Sequence, residues 1–207
     1  MAFGSRVVGP LAVVAFVLSA QSAAAQVAPT MASPVRVWVL SGSTGLSLAS
    51  GDAGLALGAA VAWGFAPRWE IEIGGQWLDR PSGQEALAFG ATTQFRLRGS
   101  GRAVPYVRAG MAAYTVTLDA TTPDVPGFYR ARMIAARQSL FRARHSFTDP
   151  AIVLGGGVDL QLSRNVHLRP AVEVMTVLHD RRTLVAPVMS LQLAYHFENP
   201  RITPARR

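Results

Sequence analysis

PAIVLGGGVDLQLSRNVHLRPAVEVMTVL, residues 150–178, alternates apolar with polar or small side chains through two long runs that hinge on Arg164 and Asn165. Val158, Leu160 and Leu162 alternate with Asp159 and Gln161. After the hinge, Val166, Leu168, Pro170, Val172 and Val174 alternate with His167, Arg169 and Glu173. Every ionisable residue of the two runs falls in one phase. Successive side chains of a strand leave opposite faces, so the pattern predicts a β-hairpin with one apolar and one charged face. The apolar face must meet either a protein core or lipid, and the rest of the chain bears on that choice.

Eight runs of β character are expected, over residues 35–48, 53–65, 69–78, 86–98, 103–118, 151–163, 166–178 and 183–197. Most reach ten residues or more, whereas strands of soluble domains have a mode of about 5–6. About ten residues at a tilt of about 45° is the length that crosses a bilayer. The connections are expected to alternate in length. Ala66-Pro67-Arg68, Gly99-Ser100-Gly101-Arg102 and Arg164-Asn165 are short. Leu48 to Asp52, Leu78 to Glu85 and above all Asp119 to Pro150 are longer, and of this second set only His179 to Arg182 is tight. Short turns at one end and longer loops at the other is the asymmetry of bacterial outer-membrane barrels, and an even strand count returns both termini to one side.

The second strand indicates which phase meets lipid. Leu55, Leu57, Val61, Trp63 and Phe65 occupy one phase; Gly54, Ala56, Gly58, Ala60, Ala62 and Gly64 occupy the other. A face of glycine and alanine is a poor water-facing surface but suits the cramped interior of a narrow barrel. Placing the small and charged phase inside and the bulky phase in lipid gives an all-β, eight-stranded antiparallel up-and-down transmembrane β-barrel. Closure also pairs every backbone group in lipid. A soluble lipocalin-like barrel is the alternative if the faces are reversed.

Residues 153–174, VLGGGVDLQLSRNVHLRPAVEV, and the closing 191–197, LQLAYHF, resemble the small outer-membrane β-barrel domains related to the OmpA transmembrane domain. The resemblance covers nearly all of the chain beyond its leader, through alternation with glycine. It implies that the final strand, with Leu193, Tyr195 and Phe197 in one phase, is similar to the signal read by the barrel-insertion machinery. Here Glu198 to Arg207 follow Phe197, which departs from that pattern.

The remaining composition fits export. One early cation at Arg6, an apolar run from Val7 to Leu18 and small residues up to Ala25 read as a signal peptide over residues 1–25. Residues 26–34 read as a linker, 35–197 as the barrel and 198–207 as a periplasmic tail. No later apolar run has the length of a spanning helix. There is no cysteine, so neither disulfides nor a lipid-modified cysteine are available. The formal charge of +8 comes entirely from arginine, yet no basic stripe accompanies it, and nucleic acid is not an expected partner. Expected partners are membrane lipid and lipopolysaccharide, the barrel-insertion machinery and periplasmic chaperones. The expected state is a monomer in the outer membrane.

The inward phase would carry Arg36, Glu70, Glu72, Gln76, Gln94, Arg96, Arg98, Arg108, Asp159, Gln161, His167, Arg169, Glu173, Gln192 and His196. The interior of an eight-stranded barrel is just wide enough for side chains to fill. Opposite charges are forced together there, and arginine bridges carboxylates bidentately, so a network of Arg with Glu or Asp would plug the lumen. A gated ion path or an active site is the other use of such a cluster. The plug is favoured because charges in a narrow barrel need partners simply to be tolerated.

Asp119 to Pro150 is the longest connection, and Arg130, Arg132, Arg137, Arg142 and Arg144 lie where lipopolysaccharide phosphates would meet the rim; a solvated, variable loop explains them equally. Residues 129–141 fit a short helix or an extension of the flanking strands. A lipid A modifying barrel enzyme, the third reading after a structural or surface-interaction role and a narrow porin-like channel, would need Ser or activated water, His and a carboxylate together. His145, Ser146, Asp149, His179 and Asp180 gather at that rim, but no His-x-Ser-Asn pattern stands in a late strand, and no enzyme is expected. The four histidines have no metal-like spacing, so neither a metal site nor a cofactor is expected. Gly155-Gly156-Gly157 precedes a strand rather than a helix and is not a phosphate loop; its glycines relieve crowding.

Overall fold

The computed structural model describes residues 37–49, 52–80, 84–98, 101–119, 127–137, 144–179 and 182–197. The expected signal peptide, linker and tail lie outside them, as do Arg36, Arg142 and Asp180. Eight strands follow in order: β1 Trp38–Ala49, β2 Asp52–Ala66, β3 Trp69–Arg80, β4 Gln84–Arg96, β5 Ala103–Asp119, β6 Arg144–Gln161, β7 Val166–His179 and β8 Arg182–Phe197. A helix, α1 Gly127–Arg137, lies between β5 and β6. Each strand pairs antiparallel with its sequence neighbours, and β1 pairs with β8 from Trp38↔Phe197 to Ser47↔Val188, which closes the barrel. Closure leaves no strand edge with unpaired N–H and C=O groups.

The strands are longer than alternation alone indicates, and two expectations change with them. Arg144 to Pro150, expected as loop, belongs to β6, because it continues the ladder with β5 through Asp119↔Arg144, Thr117↔Ser146 and Ala113↔Pro150. The connections β1–β2, β3–β4 and β7–β8 shrink to residues 50–51, 81–83 and 180–181. The length asymmetry therefore rests on residues 120–143 alone. At the other end β4 stops at Arg96, so Arg98 is exposed beside the β4–β5 turn instead of facing inward. Gln161, the last residue of β6, is exposed for the same reason: at a strand end the barrel wall no longer covers it.

Everywhere else the phase holds. Leu40, Leu57, Trp63, Ile73, Leu87, Phe89, Met111, Leu154 and Leu193 point outward and are exposed. Ala56, Ala62, Glu70, Glu72, Ala88, Arg108, Asp159, Arg169, Ala186 and Gln192 point inward and are buried. So extended an apolar exterior is far larger than a soluble monomer exposes, and lipid is the solvent that suits it. Most of its aromatic residues gather at the end where β1 begins and β8 ends, with Trp77 and Phe89 standing apart from them on β3 and β4. Trp38 stacks on Trp63 at 6.3 Å, Trp63 meets Phe65, Trp69 meets Phe95 at 4.7 Å, and Tyr195 meets Phe197 at 4.9 Å. The register carries this band across β8, β1, β2, β3 and β4, as a membrane interface favours.

The interior is layered. An apolar cluster lies toward the helix end and includes Leu78, Tyr114, Val116, Leu118, Val153, Met175, Val177 and Val188. Tyr129 and Met133 of α1 are buried in the same cluster, four residues apart and so on one helix face. The segment read from sequence as a rim loop thus caps the barrel with two of its side chains. A smaller apolar group, Val37, Val39, Ala62 and Ala194, lies toward the terminal end. The charged layer is level with this second group, since Val39 pairs with His196, Ala62 with Glu72 and Ala194 with His167.

Candidate functional site

The charged layer is assembled from strands distant in sequence, because inward positions of all eight converge on one narrow lumen. Arg169 of β7 is fully buried and binds Glu70 of β3, Nη1 to Oε1 at 2.9 Å and Nη2 to Oε2 at 3.4 Å. The same Nη2 lies 3.2 Å from Asp159 Oδ2. Arg96 Nη2 reaches Glu70 Oε2 at 3.0 Å and Asp159 Oδ2 at 3.7 Å. Asp159 Oδ1 also accepts from His167 Nδ1 at 2.6 Å. His167 stacks on His196 with ring centroids 4.0 Å apart, and Arg169 Nη2 lies 3.3 Å from His196 Nε2.

A second group sits one inward position further from the termini. Arg108 joins Glu72 at 3.0 Å and also pairs with Glu173. Gln192 Nε2 donates to Glu72 Oε2 at 3.1 Å and to Ser41 Oγ at 2.8 Å. Glu70 and Glu72 are two residues apart on β3, and their partners Arg169 and Arg108 come from β7 and β5, with Glu173 of β7 on the other side of Arg108. The two groups therefore stack along the barrel axis. Of the residues read from sequence as lumen charges, Glu70, Glu72, Arg96, Arg108, Asp159, His167, Arg169, Glu173 and His196 meet in this network; Arg98 does not, and Arg36 lies outside the described residues.

Two residues of the layer were not singled out by sequence. Ser41 shares its strand phase with Val37 and Val39, and Tyr106 shares its phase with Arg108, so alternation held the signal for both. Tyr106 also bears on the last glycine of the Gly155–Gly157 run. It pairs with Gly157, and a Cβ built there would lie 2.2 Å from Pro170 O and 2.9 Å from the Tyr106 hydroxyl. The β6–β7 ladder passes from Gly157↔Ala171 to Leu160↔Leu168 without a pair at Val158 and Asp159, opposite Pro170, which has no N–H to give. A cavity of about 80 Å³ remains beside the second group, bordered by Ser43, Glu72, Gln76, Thr92, Arg108 and Ser190.

No protein family and no curated protein matches the chain. Among solved structures, the chain is similar to Neisserial surface protein A, with a TM-score of 0.58 at 10% identity over 78% of this chain and 97% of that one. It is similar to the N-terminal β-barrel domain of Pseudomonas aeruginosa OprF, with a TM-score of 0.54 at 10% identity over 77% of this chain and 97% of that domain. Against the outer membrane protein OprG from Pseudomonas aeruginosa the TM-score is 0.52 at 15% identity, over 80% and 97%. The fold is that of the small outer-membrane β-barrels.

In this outer-membrane barrel fold the rim opposite the termini carries the other polar cluster. Asp149 is buried and receives Arg132 Nη1 at 2.6 Å and His179 Nδ1 at 2.9 Å. The Arg132 guanidinium also lies 4.3 Å above the Phe147 ring. Arg132, expected to face anionic lipid, is thus turned onto the barrel wall, where a carboxylate and an aromatic face hold it. Arg130 and Arg144 are exposed; Arg137 ends α1, with its side chain outside the described set. His145 and Ser146 are consecutive on β6, so their side chains leave opposite faces, His145 buried and Ser146 exposed. They do not form a nucleophile and base pair.

Proposed function

We propose that the protein is an outer-membrane barrel with a structural or surface-interaction role and a lumen closed to solute flow. The observation that carries this reading is the doubly occupied interior. Fully buried Arg169, held by Glu70 and Asp159, fills one level, and Tyr129 and Met133 of α1 fill the opposite mouth. Side chains that satisfy one another's charge leave little reason to hydrate the path. An enzyme is disfavoured by the opposed directions of His145 and Ser146.

The terminal end, with its aromatic band, is assigned to the periplasmic interface, and α1 with exposed Arg130 and Arg144 to the outer surface. There the arginines would meet lipopolysaccharide phosphates. Leu193, Tyr195 and Phe197, all exposed on the lipid face of β8, would serve the barrel-insertion machinery during assembly. A second reading, a narrow porin-like channel for small solutes, is favoured only by the cavity of about 80 Å³ beside Arg108. Planar-bilayer recording of the refolded protein separates the two: the closed lumen gives no steady conductance. Large, reproducible single-channel currents would overturn it.

A further inference from the structure

Asp159, His167 and His196 come from β6, β7 and β8, and one donor atom from each lies within 4.8 Å of the other two. We propose that these three side chains bind a divalent transition-metal ion at the terminal mouth of the lumen. Chain spacing conceals the cluster. Register creates it, because Gln161↔His167 brings Asp159 beside His167 across one hairpin, and His167↔Ala194 brings His196 beside both across the next.

The ring atoms are set for coordination. Arginine has no acceptor, so the contact from Arg169 Nη2 to His196 Nε2 at 3.3 Å makes that nitrogen the acceptor, with its lone pair free of a proton and turned to the guanidinium that an ion would displace. A metal uses the same lone pair. His167 Nδ1 lies 2.6 Å from Asp159 Oδ1, so an ion held by both takes the place of the proton they share. Two imidazoles and a carboxylate suit zinc, cobalt, nickel or copper rather than magnesium or calcium.

Two guanidinium groups border the cluster and set the competition. Their contacts to it are Arg169 Nη2 to Asp159 at 3.2 Å and to His196 at 3.3 Å, and Arg96 Nη2 to Asp159 at 3.7 Å. Both arginines hold Glu70 more closely, at 2.9 and 3.0 Å. An incoming cation therefore displaces the weaker contacts while the Glu70 pairs remain. Access is open as well, since the side chains of His167 and Arg96 keep 16% and 17% of their exposure while Asp159 keeps 4%. The bound ion would tie β6, β7 and β8 together beside Pro170, where the β6–β7 ladder lacks pairs.

The test is titration of the refolded, tag-free barrel in detergent with Co2+, read by visible absorption, followed by displacement with Zn2+. The expected result is saturable 1:1 binding. His167→Ala and His196→Ala each weaken it by more than about tenfold, and His179→Ala, at the other end of the barrel, leaves it unchanged. Absence of saturable binding by the wild-type protein, or binding that survives the double His167→Ala/His196→Ala change, overturns the site. Should the lumen variants fail to give the heat-modifiable folded band, X-ray absorption of the Zn2+-loaded His179→Ala protein decides. Two imidazole ligands support the site, and fewer overturn it.

Discussion

Arg169 and Glu70 stand 99 residues apart in the chain and face each other across the lumen at 2.9 Å, with the guanidinium fully buried. Neither has access to water as an alternative partner. Removing Glu70 leaves Arg169 with one carboxylate, Asp159, which it shares with Arg96 and His167, and the neutral acceptor His196 Nε2. Glu70→Ala should therefore destabilise the folded barrel by about 3–5 kcal/mol, and Glu70→Gln by less, because the amide oxygen still accepts. Urea unfolding in lipid vesicles measures both. Equal stability of wild type and Glu70→Ala would show that the pair contributes nothing net.

Gly157 has no room for a side chain, whereas Gly64 does. A Cβ at Gly157 meets Pro170 O at 2.2 Å, while the nearest atom to a Cβ at Gly64 is Val37 O at 3.7 Å. Gly157→Ala should cost about 1–3 kcal/mol through displaced backbone and a shifted Tyr106, with Gly64→Ala close to neutral. Thermal loss of the heat-modifiable band ranks the two, and the reverse order would contradict the packing described for Tyr106.

Docking of α1 depends on Tyr129 and Met133. Tyr129→Ala removes an aromatic ring stacked 6.0 Å from Phe147, with a loss of about 3–5 kcal/mol where a buried ring is deleted. That loss falls on the cap rather than on the strand ladder. Trypsin cleavage after Arg130 or Arg132 should accelerate in the variant while the barrel fragment keeps its folded migration. Unchanged cleavage would mean that α1 is held by something other than this face.

Ile73 points outward midway along β3, 53% exposed. If that face meets hydrocarbon, Ile73→Arg should cost about 2–4 kcal/mol near the bilayer midplane, measured by folding into lipid vesicles. A soluble barrel would tolerate the same change or gain solubility, so a neutral result would reverse the faces.

Legibility followed the range of the physics. Alternation is local, and it was enough to assign eight strands, their inward and outward phases and the lumen positions of Glu70, Glu72, Arg108, Asp159, Arg169 and Glu173. It failed where a residue's environment depends on how far a neighbour extends. Arg98 and Gln161 keep the inward phase but stand at strand ends without a wall, and residues 144–150 carry too little alternation to reveal their pairing with β5.

What the sequence by itself determined is the two-faced ribbon, because period-two patterning needs only the chain's own residues. Which charge meets which was decided by the tertiary structure alone. Partners such as Glu70 with Arg169, or Asp159 with both His167 and Arg169, are chosen by register across several strands and by the small radius of a closed barrel. The same closure turned a loop-like stretch into a cap, because Tyr129 and Met133 are apolar anchors only once a barrel mouth exists to receive them.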